Sequence, residues 1–259
     1  TLEQCIAATP VKHVIISAMG DRLGLLKGAL VNYVVRHVKK MVPTYNLPGA
    51  VRFNEAIAQG TGKTLKKPVI KSTDVAVLQY TGGTTGVSKG AALTHGNIVA
   101  NVLQADAWNA PALKTIDSKE QFTTVVALPL YHIFAFTVSM LVTLRVGGLC
   151  ILIPNPRDLS AMLKDLSKQP FHCIAAVNTL FNGLLNHEDF DKVNWRSLKV
   201  TLGGGMAVQS AVAQRWLERT GCPICEGYGL SETSPIASAN RTDTKNFSAT
   251  IGLPLPSTS

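Results

Sequence analysis

Apolar positions along the chain gather into short blocks, and from residue 75 onward these blocks alternate in kind. Short apolar runs that read as strands lie at 75–80, 123–128, 149–153, 173–177, 199–202 and 223–226. Helix candidates fall between them, at 95–109, 133–146, 158–168, 178–187 and 207–219. Thr94 and Asp158 stand at the head of two of these, where an N-cap oxygen can take the free N–H groups of a first turn. Short apolar strands alternating with helices predict an α/β fold, a mostly parallel sheet covered by helices on both faces. Such sheets bind ligands beyond the carboxyl ends of their strands. The loops that follow the strands are therefore where chemistry is expected.

Before residue 75 the pattern differs. Residues 11–17 (VKHVIIS) read as a buried strand. Residues 22–41 read as an amphipathic helix, with Leu23, Leu26, Leu30, Val34, Val38 and Met41 on one face. Arg36, Lys39 and Lys40 crowd its last turn, where positive charge suits the helix dipole. Residues 54–74 are polar and basic and read as a surface connection. The expected organisation is a basic segment over 1–74 and an α/β unit over 75–259.

Composition sharpens this picture. Hydrophobic residues make up 46% of the 259 and charged residues 16%, against roughly 25% charged in an average soluble chain. The deficit predicts much buried surface, or surface that something else covers. The net charge of +9 is local: residues 1–71 hold 11 Lys and Arg against 3 Asp and Glu, and the remainder holds 14 against 13. A basic excess confined to one quarter, without interleaved exposed aromatics, argues against a nucleic-acid binder. The apolar stretch 133–144 is too short to span a bilayer and reads as a buried helix. Five scattered cysteines point to a reducing compartment. Cys222 and Cys225 form a C-x-x-C, but without a second ligand pair they read as structural rather than zinc-binding.

The strongest chemical signal is the run YTGGTTGVSKG at 80–90, with four Gly, three Thr, one Ser and one Lys in eleven residues. Backbone N–H groups exposed by glycine, hydroxyls and an ammonium together make an anion cradle, and phosphate is its natural guest. The run is neither a Walker A loop nor a G-x-G-x-x-G fingerprint. After the next strand come Tyr131, His132 and Phe134. A histidine there either lines a ligand pocket or is a satisfied, half-buried side chain, and the residues alone favour the latter. Gly203, Gly204 and Gly205 make a tight turn or let a planar ligand lie on the backbone; the run does not choose between them. In Glu226-Gly227-Tyr228-Gly229-Leu230-Ser231-Glu232-Thr233, a tyrosine between glycines can present its ring face. A hydroxyl and a carboxylate at Ser231 and Glu232 suit a Mg²⁺–nucleotide site. They equally suit a turn in which Ser231 caps a helix.

Taken in order, YTGGTTGVSKGA, LPLYHIFA, LGGGM, EGYGLSE and IGLPLPS resemble the adenylate-forming enzymes, the superfamily of acyl-CoA synthetases, luciferases and nonribosomal peptide adenylation domains. Within it the chain is most similar to bacterial long-chain fatty acid–CoA ligases, over essentially its whole length. The resemblance implies part of the large N-terminal domain of such an enzyme. It implies ATP, Mg²⁺ and coenzyme A as reaction partners and a fatty acid as substrate. Tyr80, Thr81, Gly82, Gly83, Thr84, Thr85, Gly86, Ser88, Lys89 and Gly90 are expected at the phosphates. Gly203, Gly204, Gly205, Met206, Glu226, Gly227, Tyr228 and Gly229 are expected around the adenine, with Tyr228 stacked on it. Ser231 is expected at the α-phosphate, Glu232 on Mg²⁺, and His132 with Tyr131 and Phe134 at the acyl carboxylate. The family's ribose-binding Asp, domain hinge and adenylation Lys are expected downstream of Ser259, so the chain is expected to be an internal piece, inactive alone. The alternative is an adenylating ligase for short or aromatic acids. A cytoplasmic enzyme of a bacterium is implied, with a homodimer as a further expectation. The basic helix 22–41 either docks on an anionic membrane surface or packs its apolar face on the protein core, its Lys residues merely solvated.

Overall fold

The computed structural model describes residues 2–81 and 89–258. The chain divides into two compact units, Thr1–Val69 and Ile70–Ser259.

The first unit holds α1 (Leu2–Cys5), β1 (Ile15–Ile16), α2 (Leu25–Tyr33), β2 (Val51–Arg52) and α3 (Phe53–Gly60). The expected buried strand at 11–17 reduces to β1, which pairs in parallel with the two residues of β2. Ile15 is 57% exposed. A two-residue partner leaves the rest of the apolar run without a ladder to join. The expected helix at 22–41 begins later, after Gly24 at φ +82°. It continues as a π-helical turn, Val34–Val38, closed by Lys39 N–H donating to the Val34 carbonyl at 2.8 Å. Its apolar face is present but uncovered, with Leu25 and Leu26 at least nine-tenths exposed. Part of the expected surface connection at 54–74 is helical instead, as α3.

The second unit opens with β3 (Val75–Thr81) and β4 (Lys89–Thr94), paired antiparallel as a sheet of their own. The sequence placed β3 first in the parallel sheet; the adjoining β4 takes its hydrogen bonds instead. β4 runs straight into α4 (His95–Leu113). There the Thr94 hydroxyl accepts from Asn97 N–H at 3.2 Å and the Asn97 side chain accepts from Thr94 N–H at 3.0 Å. That reciprocal cap satisfies two N–H groups at once. Next come β5 (Thr123–Val126), a π-helical run Ala135–Leu141 leading into α5 (Val142–Arg145), and β6 (Leu149–Leu152). They are followed by α6 (Leu159–Leu166), β7 (Cys173–Ala176), α7 (Asn178–Leu185), β8 (Val200–Gly203), α8 (Ser210–Thr220) and β9 (Ile224–Gly229). Two strands the sequence did not suggest, β10 (Ile236–Ala239) and β11 (Leu253–Pro254), complete the set. Asp158 caps α6 by accepting from Ala161 N–H at 3.0 Å.

The seven-stranded sheet has the order β11-β10-β9-β8-β7-β5-β6. β6, β5, β7, β8 and β9 are parallel, while β10 and β11 extend it antiparallel. The central strands β5 and β7 are buried at every residue, as expected for parallel strands covered on both faces. On one face α6, α7 and α8 pack over Val125, Ile174, Ala176 and Ile224. Phe171, Phe181, Phe190, Trp195 and Trp216 form an aromatic cluster there, mostly edge to face. On the other face α4 and the 135–145 run share a second core with β4 through Leu93, Ile98, Val102, Ile133 and Val142. No helix among the described residues is long and apolar enough to cross a membrane.

Candidate functional site

A cavity of about 240 Å³ opens at the carboxyl ends of β5, β8 and β9, where an α/β sheet presents ligands. Three stretches build it: His132, Ile133 and Phe134 after β5, Gly203, Gly204 and Gly205 at the end of β8, and residues 227–231 at the end of β9. Val138, Leu202, Cys225, Pro235, Ile236 and Ala239 close the apolar remainder.

The glycines set its shape. A Cβ on Gly204 would stand 3.0 Å from the Phe134 ring, so the ring rests on bare backbone and narrows the cavity to a slot. Gly205 follows at φ +79°, a conformation that favours glycine. Gly203, Gly204, Gly205, Gly227 and Gly229 thus offer the cavity backbone without side chains. Glu226 is nine-tenths buried and does not line the slot. Its Oε1 accepts from Val208 N–H at 2.8 Å, and its carbonyl accepts from Asn240 N–H at 2.9 Å. It thus fixes the segment after the glycines to β9. Nothing in the sequence run around Glu226 signalled that bond.

The sequence ends the strand at Glu226 and reads Gly227, Tyr228 and Gly229 as loop, but they are strand residues, since β9 runs on to Gly229. β10 approaches Gly229 so closely that a Cβ there would overlap the Pro235 carbonyl, which explains a glycine inside a strand. Ser231 lines the cavity and Glu232 is exposed beside it, on a 3₁₀ turn Ser231–Thr233. Ser231 does not cap this turn. The Thr233 hydroxyl accepts from Leu230 N–H at 2.9 Å and does that work.

Tyr80 and Thr81 end β3, and Lys89 and Gly90 begin β4, with Thr81 opposite Lys89. The Tyr80 ring covers Gly90. Gly82, Gly83, Thr84, Thr85, Gly86 and Ser88 lie outside the described residues. β4 neighbours the Ser231–Thr233 turn, so the end of the Gly-rich run and the hydroxyl–carboxylate pair lie on adjoining elements. Met206 and Tyr131 are exposed and do not line the cavity, although the Tyr131 ring lies 5.3 Å from that of His132. Cys225, which does line it, is held protonated: burial, with Cys222 and Asp243 nearby, pushes its thiol up to about 12. It serves as apolar wall, not nucleophile. Among the described residues no group of three or more His, Cys, Asp or Glu is placed to hold a metal ion.

The fold and this cavity define an α/β site at the strand ends, with a hydroxyl and an exposed carboxylate at one rim and a histidine and a phenylalanine at another. The chain belongs to the AMP-binding enzyme family, which it matches over residues 1–259. It is 50% identical over 258 residues to a long-chain-fatty-acid–CoA ligase of Yersinia pestis, covering all of this chain and 45% of the relative. The corresponding ligase of Haemophilus influenzae is also 50% identical, with 46% of its length covered. The chain thus spans less than half the length of these relatives. Among solved structures, an anthranilate CoA ligase in complex with anthranoyl-AMP superposes with a TM-score of 0.74 at 22% identity, over 98% of this chain and 43% of that one. ATP-bound MatB from Rhodopseudomonas palustris gives 0.68 at 22% identity, over 98% and 47%. At that identity the likeness is one of fold.

Proposed function

We propose that the whole protein carrying this chain activates long-chain fatty acids with ATP and transfers the acyl group to coenzyme A. The observation that carries this reading is the identity of half of all positions, along the full chain, with ligases named for that reaction. The carboxylate attacks the α-phosphorus of ATP and pyrophosphate leaves; the coenzyme A thiol then displaces AMP from the acyl-adenylate. A carboxylate is ionised near neutral pH, so the first step needs no general base. Its obstacle is the approach of two anions, which positioning and charge neutralisation lower.

In this reading the backbone walls at 203–205 and 227–229 take the adenine, with Tyr228 against it. Phe134 and His132 border the acyl carboxylate, and Ser231 faces the α-phosphate. Thr81, Lys89 and the residues between them serve the β- and γ-phosphates. Glu232 fits Mg²⁺: a single exposed carboxylate beside a hydroxyl leaves phosphate oxygens and water to complete six ligands, as this ion prefers. The ion would supply positive charge to the phosphates. The uncovered α2 face, flanked by Lys27, Arg36, Lys39 and Lys40, supports reversible docking on an anionic bilayer.

Pyrophosphate release by the whole protein tests the reading, with oleate set against short and aromatic acids. Glu232→Ala is expected to lower the rate about a hundredfold or more at saturating Mg²⁺-ATP. A variant within threefold of wild type removes Glu232 from the metal. Turnover of aromatic acids without turnover of oleate overturns the substrate class.

A further inference from the structure

The cavity rim carrying Ser231 and Glu232 is held from outside the cavity by one buried side chain on α4. Asn101 is 3% exposed. Its Nδ2 donates to the Ile236 carbonyl at 2.8 Å, and its Oδ1 accepts from Ile236 N–H at 3.1 Å. A side-chain amide here completes both backbone bonds of one residue, as a neighbouring strand would. Nδ2 also donates to Gln104 Oε1 at 3.0 Å, which fixes the amide's orientation. Gln104 donates onward to the Pro256 carbonyl, and Trp108 Nε1 donates to the Asn240 carbonyl at 2.9 Å. One face of α4 thus grips β10 and the segments that flank it.

The position of this grip matters. Ile236 lines the cavity and follows the turn that bears Ser231 and Glu232, with Ser234 and Pro235 between them. That turn is closed on itself: Leu230 N–H donates to the Pro235 carbonyl at 3.1 Å, and Thr233 N–H donates to the Leu230 carbonyl at 3.1 Å. It therefore moves as a unit, and its exit is pinned at Ile236. At the other end, α4 starts at the reciprocal Thr94–Asn97 cap, with no loop between it and β4. β4 begins at Lys89, which with Gly90 closes the Gly-rich run 80–90. Asn101 thus links, through two turns of helix, the strand leaving that run to the turn that presents the hydroxyl and carboxylate.

We propose that Asn101 is a positioning residue for the nucleotide half-reaction, setting the distance between Lys89 at the start of β4 and the Ser231–Glu232 turn. This rests on the ATP reading given above. Groups that must meet one Mg²⁺–triphosphate at several points lose rate when one is displaced by about an ångström. The fatty-acid end, built on residues 132–134 after β5, meets α4 through the apolar packing of Ile133 and not through this hydrogen bond.

The test is steady-state kinetics of the whole protein with Asn101→Leu and Asn101→Asp. Asn101→Leu is expected to raise KM for Mg²⁺-ATP and lower the rate of pyrophosphate release at least tenfold, with KM for oleate within twofold. Asn101→Asp keeps the acceptor but sets a carboxylate oxygen against the Ile236 carbonyl. A protonated carboxyl has one O–H donor and one acceptor, the same pair an amide offers. Its activity relative to wild type is therefore expected to rise as pH falls. Should Asn101→Leu fail to fold, Asn101→Ser removes the same paired bonds and is read by the same KM split. Unchanged ATP kinetics in a folded variant overturn the proposal. So does an equal loss for both substrates, or an Asn101→Asp profile parallel to wild type, since a merely structural role predicts these. If wild type itself releases no pyrophosphate with any carboxylic acid, the ATP reading falls first, and that result is distinct from all of these.

Discussion

The units Thr1–Val69 and Ile70–Ser259 carry similar apolar patterns and put them to different use. In the second, Val125, Ile174, Phe181 and Trp216 are fully buried, and helices cover both faces of the sheet. In the first, no described hydrophobic side chain is buried, and α2 holds Leu25, Leu26 and Leu30 out from its own unit. Burying a leucine is worth about 1.5–3 kcal/mol, so the first unit forgoes what holds the second together. Periodicity shows which face of a helix is apolar and says nothing of what lies opposite it.

The comparison is most exposed at Trp216. Its ring packs against Phe181, Phe190 and Trp195, and its Nε1 donates to the Thr201 hydroxyl at 3.2 Å. Trp216→Ala is expected to destabilise the second unit by about 3–5 kcal/mol, read as a lower urea midpoint. Leu26→Ala on the uncovered face should stay within about 0.5 kcal/mol. Equal losses would mean that the α2 face is buried in solution.

A second way to break the contrast is to supply a lipid surface. Anionic lipid attracts each nearby Lys or Arg by about 1 kcal/mol. Reversing Arg36, Lys39 and Lys40 in the whole protein should therefore weaken sedimentation with anionic vesicles and leave neutral vesicles unaffected. Undiminished binding to anionic vesicles would remove this helix from the membrane contact.

A smaller effect is expected at the start of α4. Thr94→Ala removes the side-chain half of the cap and should cost about 1 kcal/mol, measured by thermal unfolding. No change there would show that β4, not the cap, fixes the helix start.

How far the sequence was legible follows the same division. β5, β7 and β8 were readable because a strand covered on both faces carries no charge and is made of apolar and β-branched residues, whatever its neighbours. β10 (IASA) was not, because its small residues carry little strand preference and its antiparallel pairing with β9 makes it a strand, and β11 was not, because it is only two residues long. β4 opens with Lys89-Gly90, which reads as loop, and only its antiparallel pairing with β3 makes it a strand. In the first unit VKHVIIS looks like a core strand because composition cannot register that its partner is two residues long. At the site, the glycines at 203–205 and the Ser231–Glu232 pair were visible as strand-end loops. Cys225, Pro235, Ile236 and Ala239 were not, because they reach the cavity through the register of β9 and β10. The Glu226–Val208 and Asn101–Ile236 bonds join residues far apart in the chain, and no local pattern marks them.

The aromatic cluster has a consequence for measurement. All three tryptophans, Trp108, Trp195 and Trp216, belong to the second unit, and two of them are in or beside its aromatic core. Intrinsic tryptophan emission of this chain is therefore a selective optical reporter. Residues 1–69 could melt completely without shifting the emission maximum, while far-ultraviolet dichroism would register the loss of α2 and α3. An emission curve and a dichroism curve that fail to overlay would time the two units separately in a single unlabelled sample.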